Sequence, residues 1–140
     1  MIRISKATKS QIKTFNIKEW HGVDVEHYGK PIEWNEKPFL YKAVNDGKIV
    51  GTISGKHESG VVYVGTLIVA ANERGRGIGK LLMQKAEEFG KNENAHKVYL
   101  TTGKEWKASK FYESLGYKKE ANLSNHHFHK DFVIYSKLIS

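Results

Sequence analysis

Residues 74–80 read RGRGIGK: glycines at 75, 77 and 79, arginines at 74 and 76, and a lysine at 80. Glycine leaves the main chain bare, so a ligand can approach the amide N–H groups closely. The basic side chains select an anionic ligand. Before the motif, Val61–Val69 reads VVYVGTLIV, a run rich in β-branched residues that predicts a buried strand. After it, Leu81, Leu82, Lys85, Ala86 and Phe89 mark a helix with one apolar face, ending near Gly90. A glycine loop between strand and helix is where main-chain amides and a helix N-terminus bind phosphate together.

Two familiar phosphate loops fail on counting. The Walker pattern needs glycine where Arg74 stands and Ser or Thr where Leu81 stands. The dinucleotide pattern needs glycine where Lys80 stands.

Further out, Ile2–Lys6 alternates apolar and polar residues and predicts a first strand. Thr8 with Gln11 forms a capping-box pattern, and Ile12, Phe15, Ile17 and Trp20 follow at roughly helical spacing. The polar segment from Gly22 to Pro38, holding both prolines, reads as loop or irregular helix. Phe39–Val44 and Lys48–Lys56 are strands joined by Asn45-Asp46-Gly47-Lys48, and Glu58-Ser59-Gly60 makes the next turn. Lys97–Thr102 is a strand, and Ala108, Phe111, Tyr112 and Leu115 predict an amphipathic helix stopped by Gly116. Tyr117–Ala121 and Phe128–Leu138 form a terminal antiparallel pair. The order predicts an α/β fold, a mixed sheet with helices on its faces.

The chain has 140 residues, which favours one domain over 1–140. Hydrophobic residues at 39% and charged residues at 27% are ordinary for a soluble protein. No apolar run approaches the roughly 20 residues that span a bilayer. The opening MIRISKATKSQ has no apolar core of a secretory signal. The chain has no cysteine, so no disulfide framework is expected and a cytoplasmic location is the default. The net charge of +8 favours anionic partners without choosing between nucleic acid, membrane surface and a polyphosphate. The basic residues are scattered and no RNA-binding aromatic signature accompanies them, which argues against nucleic acid.

The pattern R-x-x-G-x-G does fit, as Arg74, Gly77 and Gly79 after a strand ending LIVAANE. It resembles the pyrophosphate loop of the GNAT superfamily of acetyl-CoA-dependent N-acetyltransferases. The later ASKFYESLGYKKE is similar to that family's A-x-x-F-Y-x-x-L-G-[FY] helix, and the order of elements matches from Ile2 to Leu138. One position departs: Glu105 stands where the family often has asparagine.

The resemblance implies a mostly antiparallel sheet of six to seven strands whose two central parallel strands splay apart, with flanking helices. It implies acetyl-CoA as co-substrate, its pantetheine arm paired with main chain of Leu67, Ile68 and Val69. The amides of Gly75, Arg76, Gly77, Ile78, Gly79 and Lys80, with the Arg74 and Arg76 side chains, would cradle the pyrophosphate. A primary amine would attack the thioester directly within a ternary complex. The amide of Ile68 or Val69 would stabilise the oxyanion, and Tyr112 would act as general acid. A phenol suits that role because its ordinary pKa is about 10. No motif fixes the general base; Glu58, at the turn into the glycine-loop strand, is one candidate, with Tyr63, Thr66, Asp24, Glu26 and a water chain as others. Glu33, Trp34 and Glu36 lie in the family's variable substrate-facing segment, where acidic side chains would attract a cationic amine.

A small-molecule amine is the favoured acceptor. A protein N-terminus or lysine, and a non-catalytic CoA-binding domain, are the alternatives. No membrane partner is expected, and the chain reads as monomer or homodimer. His126, His127 and His129 in HHFH put 127 and 129 on one face of a strand, but with no cysteine and no evident third ligand no metal is expected.

Overall fold

A computed structural model describes all 140 residues, which divide into two compact units, Met1–Trp34 and Asn35–Ser140.

The first unit is one helix, α1 (Lys9–Tyr28), with irregular chain on either side. The capping box forms: the Thr8 hydroxyl accepts from the Gln11 amide at 3.3 Å, and the Thr8 amide donates to Gln11 Oε1 at 2.9 Å. The helix ends at Gly29, whose φ of +74° suits the left-handed C-cap. Two expectations are corrected in this unit. Ile2–Lys6 forms no strand, since no strand of the sheet pairs with it and its groups stay in solvent. The helix also runs through Gly22 to Tyr28, so only the chain after Gly29 is irregular. The apolar residues of α1 are spread round its whole circumference, and Ile12, Phe15, Ile17 and Trp20 are all exposed. Its one buried residue is Asp24, which accepts from the Trp34 indole N–H at 3.0 Å.

The second unit holds a six-stranded sheet in the order β1-β2-β3-β4-β6-β5. The strands are β1 (Glu36–Asn45), β2 (Lys48–Glu58), β3 (Val61–Val69), β4 (Lys97–Gly103), β5 (Lys118–Leu123) and β6 (Phe132–Leu138). Only β3 and β4 are parallel, joined by α2 (Ile78–Asn92); α3 (Lys107–Ser114) joins β4 to β5. Both expected hairpins form, with positive φ at Asp46 and Gly47 and at Ser59 and Gly60, as two-residue turns of matching twist require. The terminal pair forms, with its second strand starting later than expected, at Phe132. His127–His129 is a helical turn rather than strand, with φ of +53° at Phe128 and +63° at His129, so the two histidines do not share a strand face. No group of three or more His, Cys, Asp or Glu in the structure is arranged to hold a metal ion, and no helix is long and apolar enough to cross a membrane.

The core lies between the sheet and its helices. Ile53, Val62, Met83, Val98, Leu100 and Tyr117 are its largest fully buried side chains. The amphipathic α2 contributes Leu82, Met83, Ala86 and Phe89. On β3 the inward residues are Val62 and Val64, then Leu67 and Val69. The change of phase occurs at a bulge: Gly55 faces Val64 while Ser54 faces Thr66, so Gly65 is the extra residue.

Candidate active site

The parallel strands β3 and β4 pair only over Val61–Tyr63 against Lys97–Tyr99. Beyond Tyr63 they part, and β3 continues to Val69 with only β2 beside it. One edge of that segment therefore has no partner strand, and its main-chain groups open into the gap.

The ladder on the other side says which groups those are. The Ala70 amide donates to the Val50 carbonyl at 2.8 Å. That makes Val69–Gly51 a pair that exchanges no hydrogen bonds, and alternation makes Ile68–Thr52 the bonded pair. The N–H and C=O of Ile68 therefore point at β2. Those of Leu67 and Val69 point into the gap. The Ile68 amide, expected to face the reacting carbonyl, is directed at β2 and not into the gap. The Arg74 Nε donates to the Val69 carbonyl at 3.2 Å, which the gap-facing direction allows.

The glycine loop closes the C-terminal end of the gap. Gly75 and Gly77 both have φ of +82°, a region that L side chains rarely enter, and a Cβ at either would meet nothing within 4 Å. The glycines thus bend the chain and leave space above it. A Cβ at Gly79 would sit 3.1 Å from the Phe111 ring, so that glycine lets α2 and α3 approach. No side chain caps the first turn of α2, which leaves its leading amides for a ligand.

A cavity of about 650 Å³ joins these parts. The predicted Leu67, Ile68, Val69, Arg74, Gly75, Gly77, Ile78, Gly79, Lys80 and Tyr112 all line it. Its charged groups are Arg74, Lys80 and Lys107 against Glu73, and Glu73 is ion-paired with Arg76. The cavity therefore has a surplus of positive charge. Arg76 itself is directed elsewhere, into a separate hollow with Tyr41 and Lys85.

Tyr112 is buried, 8% exposed, and burial raises its phenol above the ordinary value. Its ring packs against Phe111, Tyr117 and Tyr135, with centroids 5.1, 6.1 and 6.4 Å away. The other two phenols are committed, Tyr117 to Glu87 at 3.0 Å and Tyr135 to Glu113 at 2.8 Å. Burial, with the Glu87 carboxylate beside it, pushes the Tyr117 phenol far up.

Of the remaining candidates, Glu58 and Glu36 are outside the lining of this cavity. Glu58 pairs in register with Val61 at the opposite end of β3, roughly 25 Å from Val69 at about 3.3 Å per residue. Glu36 is ion-paired with Lys56 at 2.6 Å. Glu33 and Trp34 belong to the first unit, where Trp34 is bonded to Asp24. Lys107, Ala108, Phe111, Ser114 and Leu115 line the cavity without having been singled out as site residues. The apolar spacing of Ala108, Phe111 and Leu115 reads as core packing, and nothing in a one-dimensional pattern separates a helix face that meets a cavity from one that meets a sheet. Glu105 has φ of +65°, which asparagine tolerates more readily than glutamate; that is a physical reason for the family's usual residue.

Comparison with known proteins then identifies the family. Residues 9–117 match the model of the acetyltransferase (GNAT) family. The chain belongs to this family. An N-acetylaspartate synthetase of Xenopus tropicalis is 38% identical over 90 residues, covering 62% of this chain and 33% of that protein. The match thus spans about a third of that relative's length. An acetyltransferase from Bacillus cereus ATCC 14579 superposes with a TM-score of 0.76 at 19% identity, covering 98% of this chain and 97% of that one. The ribosomal-protein-S18-alanine N-acetyltransferase from Escherichia coli gives 0.69 at 15% identity, over 91% and 90%. At these identities the two structures share the fold. The splayed strands and the six-stranded mixed sheet agree with the sequence-based expectation.

Proposed function

We propose that this chain moves an acetyl group from acetyl-CoA to the primary amine of a small molecule, by direct attack in a ternary complex. The observation that supports this best is the unpartnered edge of β3, with Leu67 and Val69 main chain facing a cavity that ends at the glycine loop and α2. The family match begins in α1, so the proposal takes 1–140 as one catalytic domain.

The pyrophosphate would sit on the leading amides of α2, with Arg74, Lys80 and Lys107 around it. Contacts of this charge-assisted type exceed neutral ones. They hold the cofactor far from the reacting carbonyl, so binding energy goes into orientation. The Val69 amide, rather than that of Ile68, would donate to the oxyanion.

The amine nitrogen forms a bond to the thioester carbon and the C–S bond breaks. Overall, nitrogen loses one proton and sulfur gains one. A thiol's ordinary pKa is about 8.5, below that of a buried phenol raised above 10. A phenol so raised does not give up its own proton outright at neutral pH. Tyr112 would instead donate a hydrogen bond to the departing sulfur and pass on the proton released by the nitrogen. Glu58 lies too far away to take part, and Glu73, the cavity's one carboxylate, is held by Arg76. The ammonium form of the acceptor would therefore lose its extra proton to water before attack, and the proton released by the neutral amine on attack would pass through Tyr112 to the sulfur.

The test is calorimetric titration with acetyl-CoA, followed by thiol release with an amine panel. Tight binding and amine-dependent thiol release support the reading. Absence of acetyl-CoA binding overturns it.

A further inference from the structure

The hollow that Arg76 enters has a volume of about 390 Å³ and lies on the other flank of α2 from the cofactor cavity. The two are neighbours. Ile78, the first residue of α2, lines both, and Gly75 and Gly77, on either side of Arg76, line the cofactor cavity. Leu81, Leu82 and Lys85 continue the hollow along α2, on the i+3, i+4 and i+7 face that starts at Ile78. Tyr41 of β1 and Val50 of β2 close the opposite wall.

The charges are one-sided. Lys42, Arg76 and Lys85 line the hollow, and no carboxylate does. Lys42 alternates on β1 with Tyr41 and Ala43, which pack on the core, so it adds to the field rather than to a contact. The other two cations have donors to spare. Arg76 reaches Glu73 through Nη1 alone, one part of a guanidinium with five N–H donors. Glu73 lines the cofactor cavity and not the hollow. The Lys85 ammonium lies 5.4 Å from the Tyr41 ring centroid and 3.6 Å from the Glu88 carboxylate, too far for a hydrogen bond. An anion between Arg76 and Lys85 gains two charge-assisted contacts and displaces no hydrogen bond. A cation would meet like charge.

Position selects the anion. Acetyl-CoA carries a pyrophosphate and, one sugar away, a phosphate monoester on the 3′ oxygen of its adenosine ribose. With the pyrophosphate on the leading amides of α2, the ribose starts at the ridge formed by Arg76, Gly77 and Ile78. The hollow is the far slope of that ridge. Lys85 stands seven residues after Ile78, roughly 10 Å along the helix, and helical side chains lean back toward the N-terminus. Leu81, 65% exposed at the rim, offers the adenine an apolar surface that otherwise faces water.

We propose that this hollow seats the cofactor's 3′-phosphate on Arg76 and Lys85, so that the chain distinguishes acetyl-CoA from its 3′-dephospho form. The proposal rests on the acetyl-transfer reading above and assigns the other end of the same cofactor. A phosphate monoester carries about −1.5 to −2 charges at neutral pH, which suits a hollow with cations in surplus.

Calorimetry would compare acetyl-CoA with acetyl-3′-dephospho-CoA at physiological ionic strength, where charges more than about 8 Å apart are largely screened. We expect wild type to bind the dephospho form about tenfold or more weakly, the size of one charge-assisted contact or more. In Arg76→Gln combined with Lys85→Gln the two forms should bind within about threefold of each other, with affinity for the dephospho form close to that of wild type. Lys85→Gln alone should lower the ratio; two turns from the glycine loop, it separates a lost contact from a disturbed loop. Lys107→Gln should weaken both forms and keep the ratio. Equal affinity of wild type for the two forms, which would leave the hollow to a free anion, overturns the proposal. So does a ratio that survives the double variant, one that vanishes in Lys107→Gln, or an equal loss of both forms in Lys85→Gln. Binding of the dephospho form to wild type reports separately on the acetyl-transfer reading; if neither form binds, that reading falls and this proposal with it.

Discussion

The two ends of β3 follow different rules. Near its start the strand is paired on both sides and its inward residues, Val62 and Val64, are buried. Near its end it has one partner, its inward residues Leu67 and Val69 are only partly buried, and half of its main-chain groups face a cavity. The first end serves stability and the second serves chemistry. Satisfying every hydrogen bond would have filled the space that a cofactor needs.

Breaking the open end should give the largest effect. Arg74→Ala combined with Gly77→Asp removes one cation and adds an anion at the bare turn. We expect acetyl-CoA affinity to fall about a thousandfold, from two charge-dependent terms of about 1.5 to 3 kcal/mol each. The melting temperature should fall by only a few degrees, the cost of an aspartate at the φ of +82° that Gly77 holds, because neither side chain is in the core. Calorimetry below the transition found in a parallel thermal melt checks both halves. At the paired end the opposite pattern is expected. Met83→Ala, at a fully buried position under the sheet, should cost about 2 to 4 kcal/mol of stability. Denaturant unfolding would measure this, and the folded fraction should keep its acetyl-CoA affinity.

Tyr112→Phe sharpens the contrast, since it changes one oxygen at the border of the two regions. We expect kcat to drop about a hundredfold, the lower range for a lost acid–base group, with acetyl-CoA binding unchanged. Wild-type kcat/KM should rise with pH as the amine deprotonates. Because burial raises Tyr112, ionisation of this phenol should produce no falling limb below pH 10; such a limb, absent in Tyr112→Phe, would contradict the assignment.

The smallest effect concerns Tyr117. Its phenol is raised in the folded state, so the fold holds that proton more tightly than the unfolded chain does. Stability from this source is complete below about pH 10, the ordinary tyrosine value, and is lost as pH rises above it. Melting temperatures between pH 9 and 11 should fall in the wild type and fall less in Tyr117→Phe. The variant should lose about 1 kcal/mol at neutral pH, one hydrogen bond to Glu87.

Sequence was most readable where a local rule decides structure. Thr8 and Gln11, Asp46-Gly47, Ser59-Gly60 and Gly75 to Gly79 each act through their own backbone, and each stands where the pattern put it. Reading failed where the partner is remote. Ile2–Lys6 alternates like a strand, yet alternation cannot supply a neighbour. HHFH looks like strand, but the chain bends through two left-handed residues before β6 begins. Choosing the Val69 amide over that of Ile68 needed the register with Gly51 and Thr52. Glu58 is close to the glycine loop in sequence only in the sense that one strand separates them, and that strand is extended.

The bulge at Gly65 also sets which side chains of β3 face the core. It acts on β3 as a change of reading frame acts on a message. Before it, even-numbered residues are the interior letters; after it, odd-numbered ones are. Deleting Gly65 would leave those facings as they are, whereas pairing β3 straight through with the glycine kept and no bulge would turn Thr66 and Ile68 toward the helices and Leu67 and Val69 toward water. The sequence would be unchanged, yet every side chain of β3 beyond Val64 would be re-addressed.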